Sequence, residues 1–528
     1  MTMPGILGNG RWRGLAIVTL LTLAQGVAAG AAAFATRGLF NMLSAGTPLS
    51  HGLIAMLIAS GLVIALARIA ARLTGERLGQ AYALSVRLAL LSHAAGMPAS
   101  AVAARRGGYM SLRFVGDMTA FRNWLGKGLA QVVAGAVMIP ATIFILWWLD
   151  PAFALGVSPL FAVTLALLLL AGPRLAPLHR RLRARRARIA AEMAERMPLA
   201  PELDRLGRRP AELRNLRRNT KRMIRAGLQR LFWAETLKAI PDVLAGLAAA
   251  VIITIGAAME TGTGAIAGAL AVVGLLITPL RDLASVWNFR AAYLAAREKC
   301  TAALARPQRG LYAGDERLPA APISVRVSDL SMPRDNPLSF EVAAGAIGVS
   351  PCDTHDADLL FAALCGLEDV PADRILLSGL CLTRLSRGSL RRGVARLEAR
   401  PVVLRGTLRQ NLTLGLRQEP SDRRLGKQAR RAGLGPLMKR IGGLDGILAE
   451  DARNLSDHER SALALARILL SKPGLVLVGT ALLHLDTAAR DAFWAHVGAL
   501  GSTILQHPDL QEVRNTGRVI PARVPPDA

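Results

Sequence analysis

The densest group of potential ligands in the chain is Cys352-Asp353-Thr354-His355-Asp356-Ala357-Asp358, which holds a histidine, a thiol and three carboxylates. Such side chains are common metal ligands, but their spacing fits no zinc pattern, and the segment reads as a solvated polar loop. His458 and His484 read as surface residues rather than an acid–base pair. The cysteines Cys300, Cys352, Cys365 and Cys381 include no C-x-x-C pair and all follow the last apolar span. A disulfide framework or zinc knuckle is therefore not expected.

Charge offers a different chemistry. The 528 residues carry a formal net charge of +28, which on a soluble domain would suggest nucleic acid. Many of the basic residues instead lie between apolar spans, above all in Arg180-Arg181-Leu182-Arg183-Ala184-Arg185-Arg186-Ala187-Arg188 and from Arg214 to Arg230. Lys and Arg accumulate on the cytoplasmic side of membranes and are drawn to anionic headgroups. The expected partner of these runs is membrane lipid, with no nucleic acid.

The elements that must carry these residues follow from hydropathy. Hydrophobic residues make up 52% of the chain, too many for a soluble enzyme of this length, and aromatics only 4%, so the apolar mass is aliphatic. Six spans are drawn at about 14–36, 52–67, 128–149, 152–172, 239–258 and 263–280, each near the ~20 residues that cross a bilayer core. Arg11 and Arg13 precede the first, which reads as a spanning helix rather than a cleaved signal. Helical periodicity continues from Arg68 to Leu91, so the second helix should project out of the membrane. Segments 68–127 and 173–238 are long and basic, whereas 37–51, 150–151 and 259–262 are short and nearly uncharged. Both termini and both long segments are therefore expected in the cytoplasm. Asp150-Pro151 should make a tight outside turn, since the residue before proline resists helix and proline can open the next one.

Past Pro279 the apolar character fades, and a Pro/Gly-containing linker leads from Pro307 to Pro322. Beyond it, short β-type runs at Ile323–Val327, Arg374–Leu377, Leu475–Val478 and Thr503–Leu505 alternate with helical stretches. This alternation argues for an α/β domain.

The order of segments resembles that of ATP-binding cassette (ABC) exporters of the half-transporter type. Arg106 to Asp117 looks like the family's first cytoplasmic coupling segment, and the second falls around Leu206 to Arg214. Ser389 through Gly406-Thr407-Leu408-Arg409-Gln410-Asn411-Leu412 is similar to the stretch that spans the Q-loop. Leu455-Ser456 opening Ala462 to Leu470 resembles the signature and its helix. Pro473 to Val478 looks like the Walker B strand, Leu485-Asp486 like the D-loop, and His507 like the switch histidine. The resemblance implies an α-helical membrane domain of the type IV exporter kind (1–300), a linker (301–322), and an α/β, P-loop-NTPase-like cassette (323–528).

The same resemblance locates departures from ATP chemistry. A phosphate-binding loop needs glycines whose backbone N–H groups form an anion nest, a lysine for the phosphates and a hydroxyl for magnesium. Counted back from Leu364-Cys365-Gly366-Leu367, the loop is Pro351 to Asp358: no glycine, Asp356 within it, Ala357 in place of the lysine and Asp358 in place of the hydroxyl. Each lost charge-assisted hydrogen bond is worth on the order of 1.5–3 kcal/mol, and the new carboxylates repel phosphate. Gly479 stands for the Walker B aspartate, Thr480 for the glutamate that follows it, and Ala399, beside Glu398, for the Q-loop glutamine. The aromatic residue expected near Arg334 to stack on adenine is missing, and the signature reads Leu455-Ser456-Asp457-His458-Glu459.

The expectation is a catalytically degenerate cassette that binds no cofactor of its own. Six helices and one cassette make half a transporter in this family, so a second half-transporter chain would complete a heterodimer and supply Mg-ATP, with Ser456 and His507 as contacts to that nucleotide. The alternative is a non-transporting structural or regulatory subunit. The implied location is the bacterial inner membrane, multi-pass. The intramembrane residues name no cargo, leaving lipid, peptide and small thiol open. A cysteine at Arg185 should react with an impermeant maleimide only after the cytoplasmic face is opened. Labelling from the outer face of intact cells would overturn the topology.

Overall fold

The structure, a computed structural model, describes residues 3–103, 118–310, 314–320, 322–333 and 337–513. The segment expected to couple, Arg106 to Asp117, and Arg334 lie outside the described residues. Two compact units result: Met1–Ala95 with Ala104–Arg306, and Gly96–Ala103 with Pro307–Ala528.

Among the described residues the first unit holds six helices long and apolar enough to cross a membrane. They are α1 (Arg11–Ser44), α2 (His51–Ala95), α3 (Met118–Leu149), α4 (Pro151–Arg196), α5 (Arg209–Ala258) and α6 (Thr263–Leu304). In hydrocarbon a backbone N–H has no water to bond, so each span must satisfy its own backbone. Each drawn span falls inside one of these helices. At 45 residues α2 outruns any bilayer, as its continued periodicity predicts. Pro140, Pro159, Pro241 and Pro279 lie inside α3, α4, α5 and α6. Between α3 and α4, the Asp150 side chain accepts a hydrogen bond from the Ala152 N–H at 2.9 Å while Pro151 opens the next helix. That is the expected turn, with carboxylate and proline in their preferred capping places. A break at 206–208, with Gly207 in the left-handed region, separates the short helix Ala200–Arg205 from α5.

Small residues let α2 and α3 touch along their backbones. A Cβ on Gly75 would stand 2.5 Å from the Gly126 carbonyl oxygen, and one on Gly126 would stand 2.7 Å from that of Gly75. One turn on, a Cβ on Gly79 would run into the Arg122 carbonyl. Gly126 lies in a π-helical turn, Trp124–Leu129, whose extra residue bends the ladder where the backbones meet. Next to this contact Arg11, though charged, is buried: Nε donates to the Ile6 carbonyl at 2.8 Å and Nη1 to Ser85 Oγ at 3.0 Å. Its guanidinium lies 5.3 Å from the centre of the Tyr82 ring, so the cation is compensated by hydrogen bonds and a π face together.

The second unit is an α/β domain, as the alternation of strand and helix runs predicts. A parallel sheet in the order β3-β10-β9-β6 joins Ile347–Val349, Thr503–Gln506, Leu475–Val478 and Val394–Leu397. Thr503 and Val394 both pair with Leu475, on either side of it. The central strand β9 is buried at all four positions, which is why it reads as an unbroken aliphatic run. An antiparallel sheet, β2-β1-β4-β5, joins Leu338–Val342, Val325–Leu330, Ile375–Leu377 and Leu380–Cys381, and a two-stranded one pairs β7 (Gly406–Thr407) with β8 (Ile447–Leu448). Of the remaining helices, α7 (Thr354–Leu364), α8 (Asp457–Leu470) and α9 (Thr487–Leu500) supply apolar faces to the core. The segment Gly96–Ala103 belongs here: the Ala99 N–H donates to the Leu367 carbonyl at 2.8 Å, and Ser100 donates to Glu368 from N at 2.7 Å and from Oγ at 2.6 Å.

In a helix Ala is favoured over Gly by roughly 0.8–1.0 kcal/mol, so Gly126→Ala tests the packing by its sign. Overpacking by about 1–3 kcal/mol should lower the unfolding temperature of the detergent-purified protein. Gly246→Ala, where nothing lies within 4 Å of the new Cβ, should raise it or leave it unchanged. Equal behaviour of the two variants would show that α2 and α3 do not touch there.

Candidate functional site

Open α/β sheets receive ligands at the carboxyl ends of their parallel strands, and the residues picked out from sequence gather at that edge. Strand β3 leads through Ser350 toward α7, β6 to Glu398 and Ala399, β9 to Gly479 and Thr480, and β10 to His507. Backbone bonds hold these ends side by side: Ser350 N–H to the Gln506 carbonyl, Gly479 N–H to Leu397 and His507 N–H to Val478, each 2.9 Å.

The segment expected as a solvated loop is instead largely the first turn of α7. Asp353 is the N-cap, its side chain accepting from the Asp356 N–H at 2.7 Å. An apolar stripe from Leu360 to Leu364 then pulls the helix onto the core, taking Asp356 and Ala357 into full burial. Asp353, Thr354, His355 and Asp358 stay exposed. Asp358 is paired: Arg396 Nη2 on β6 donates to its carboxylate at 2.7 Å. Arg396 Nε also lies 3.6 Å from Glu398. Burial pushes the Glu398 carboxyl above its ordinary range, opposed by the nearby Arg396 and Arg467 charges. Burial likewise pushes Arg467 down to about 10. Arg467 projects from α8 and donates to the Asn411 and Val402 carbonyls, both at 2.8 Å.

His507 is 1% exposed, its ring edge-on to Phe361. Nε2 donates to the Thr354 carbonyl at 3.2 Å, and Nδ1 accepts from the Asp509 N–H at 3.4 Å, so a single tautomer satisfies both. Thr354 Oγ1 in turn donates to Asp509 at 2.7 Å. Gly479 is pinned against the neighbouring strand, and a Cβ there would stand 3.0 Å from the Leu397 carbonyl oxygen. Thr480 opens a 3-10 turn ending at His484, and Ala399 packs its methyl on the cassette core.

Ser456 is not brought to this edge by any hydrogen bond among the described residues. It caps α8 through a closed box: Ser456 Oγ accepts from the Glu459 N–H at 3.2 Å, and Glu459 Oε2 accepts from the Ser456 N–H at 2.9 Å. Arg440 adds a hydrogen bond to the same Glu459 oxygen at 3.0 Å. His458, read from sequence as a surface residue, is half-buried and its Nδ1 donates to the His484 carbonyl at 2.8 Å. A helix N-terminus is ordinarily ready to bind an anion. In both α7 and α8 an N-terminal amide is instead engaged by a side chain of the chain itself. Sequence reasoning missed Arg396 and Asp509, although an arginine inside the strand run Val394-Ala395-Arg396-Leu397 is a legible signal that it must find a carboxylate.

Residues 15–277 match the family model described as the ABC transporter transmembrane region. Over 325 residues the chain is 24% identical to an ATP-dependent lipid A-core flippase of Albidiferax ferrireducens, covering 57% of this chain and 56% of that protein. It is 22% identical to the uncharacterized ABC transporter ATP-binding protein YfiC of Bacillus subtilis, covering 78% of this chain and 70% of that one. The chain thus spans little more than half the length of the flippase. A bacterial Atm1-family ABC exporter, solved with ATP bound, superposes with a TM-score of 0.79 at 19% identity, over 97% of this chain and 93% of that one. Residues 15–277 thus carry an ABC transporter transmembrane region, and the chain shares the fold of that exporter along nearly its whole length.

Proposed function

We propose that this chain is the non-hydrolysing half of a heterodimeric ABC exporter-like complex, paired with an ATPase-competent chain that couples hydrolysis to transport. The observation that carries this reading is the Arg396–Asp358 ion pair, which lies where the family resemblance puts the phosphate loop. An intact site needs a metal-holding carboxylate and a group to position the attacking water. Gly479 and Thr480 supply neither, and the 3.0 Å approach of a Gly479 Cβ to the Leu397 carbonyl opposes any side chain there. Mg-ATP belongs to the partner on this reading. The chain sits in the bacterial inner membrane with both termini in the cytoplasm, in accord with the basic segments 68–127 and 173–238.

A second reading, a structural or regulatory subunit that does not transport, is favoured by one feature. The capping box at Ser456 places the Glu459 carboxylate, paired with Arg440, on the N-terminus of α8, the place where a partner's triphosphate would otherwise be received. Copurification from native membranes separates the two readings. An active cassette partner whose transport depends on this chain supports the first, and a partner that transports without it supports the second.

Restoring the loop alone should not restore turnover. The purified triple variant Asp356→Gly, Ala357→Lys, Asp358→Ser should show no ATPase above background, because groups that act as a unit do not contribute additively. Turnover at rates ordinary for exporters, or nucleotide-dependent turnover by the unaltered chain, would sink the assignment of a silent cassette.

A further inference from the structure

Beyond the bilayer, the extended helices of the first unit carry a polar cluster that no step above uses. His179 on α4, Arg230 on α5 and Asn288 on α6 meet there side chain to side chain. Each stands about seven to nine residues past a drawn span end, at 172, 239 and 280, so all three lie at one level, roughly 10–14 Å beyond the spans at 1.5 Å per residue. That side is the one the basic segments mark as cytoplasmic. An apolar plug brings the three helices together next to the cluster: Leu168 and Leu175 of α4, Ala234 and Leu237 of α5 and Ala284 of α6 are buried in one group, with Trp287 packed against it. A Cβ on Gly172 would stand 2.3 Å from the Trp287 ring, so the indole lies directly on the α4 backbone.

The contacts of the cluster demand two different protonation states. Arg230 Nε donates to His179 Nε2 at 3.2 Å, and Arg230 Nη2 donates to Asn288 Oδ1 at 2.6 Å. A guanidinium only donates, so the first bond needs an imidazole with a free lone pair on Nε2 and its proton on Nδ1. The second bond fixes the Asn288 oxygen rather than its amide nitrogen toward the ring. His179 Nε2 also lies within hydrogen-bonding reach of that oxygen, and this contact needs the opposite state, a ring protonated at Nε2. A proton there sets one N–H donor against another and takes away the acceptor of Arg230 Nε. The charges that act on His179 are all positive: Arg183 and Arg186 on its own helix and Arg230 on α5, while α6 presents the neutral Asn288 amide. Glu235, also on α5, bears on Arg230. Burial holds His179 below the ordinary histidine value, opposed by the bond to Asn288 and reinforced by the three cations.

We propose that His179, Arg230 and Asn288 form a proton-operated latch between α4, α5 and α6. With a neutral ring, Arg230 bridges all three helices. When Nε2 takes a proton from water, His179 bonds Asn288 instead, Arg230 is released, and α5 loosens from its neighbours outside the bilayer. The folded protein holds this proton less readily than the unfolded chain. The latch therefore contributes stability at neutral pH that is lost as pH falls from about 6.5 through the lower value of the folded protein.

The test is hydrogen exchange of the full-length chain purified in detergent, read by mass spectrometry and corrected for the intrinsic pH dependence of amide exchange. Between about pH 7.5 and about pH 5.5, protection of 225–235 should fall about tenfold, the scale of one lost hydrogen bond to a charged group. Residues 244–252 of the same helix, inside the span, should not change. His179→Gln offers Arg230 an amide oxygen that does not titrate, and it should abolish the response. Asn288→Asp keeps the shape and the acceptor for Arg230 but sets a carboxylate against the ring, so it should move the response to higher pH. A purely structural role would leave the midpoint in place. Unfolding temperature at neutral pH shows that each variant is folded, and if His179→Gln does not fold, the shift in Asn288→Asp decides. No response in the unaltered chain, a persistent response in folded His179→Gln, or an unmoved midpoint in Asn288→Asp would overturn the latch. A chain that hydrolyses ATP would sink the silent-cassette reading and leave the latch standing.

Discussion

Hydrocarbon gives a backbone N–H nothing to bond to, and everything in the first unit follows from that. Segments that cross must be helices that satisfy themselves, and uninterrupted helices are long. The 50 residues of α5 and the 45 of α2 carry their faces well past any bilayer, so packing between helices has to be settled outside the membrane as well as within it. Gly75, Gly79 and Gly126 settle it by bringing backbones together, and buried Arg11 ties the start of α1 to α2. A cavity bounded by α1, α2, α3 and α6 lies beside that contact, with Gly126 on its wall.

The second unit obeys a different constraint. Its parallel sheet is buried by α7, α8, α9 and the loops around them, and the aliphatic residues that achieve this have no part in handling phosphate. Fold and site chemistry rest on separate residues. The strands can therefore keep the register Thr503–Leu475–Val394 while the carboxyl edge carries Gly479, Thr480 and Ala399.

What was legible in the sequence divides along the same line. Spans announce themselves because hydropathy over ~20 residues is a property of neighbours in the chain, and the Asp150-Pro151 turn is written in two adjacent residues. Strand β9 is legible for the same reason. The burial of Asp356 and Ala357 is not written in their own neighbourhood, because burial of a helix's first turn depends on the stripe that follows, and Asp353 reads equally as an N-cap or as a solvated acid. Arg396 reaching Asp358 could not be read from spacing at all: β3 and β6 are the outer strands of β3-β10-β9-β6, so the pair needs α7 to carry Asp358 from the end of β3 to a strand 38 residues on in sequence.

A domain that binds nucleotide gains stability by mass action, in proportion to how far ligand concentration exceeds its dissociation constant. The Arg396–Asp358 pair is a ligand that cannot dilute, because both halves are held by the same chain. On the reading proposed above, it contributes the same small stabilisation whether the cell is fed or starved. The rigidity of this half would then be indifferent to energy charge. A complex containing it would take all its nucleotide dependence from the other side.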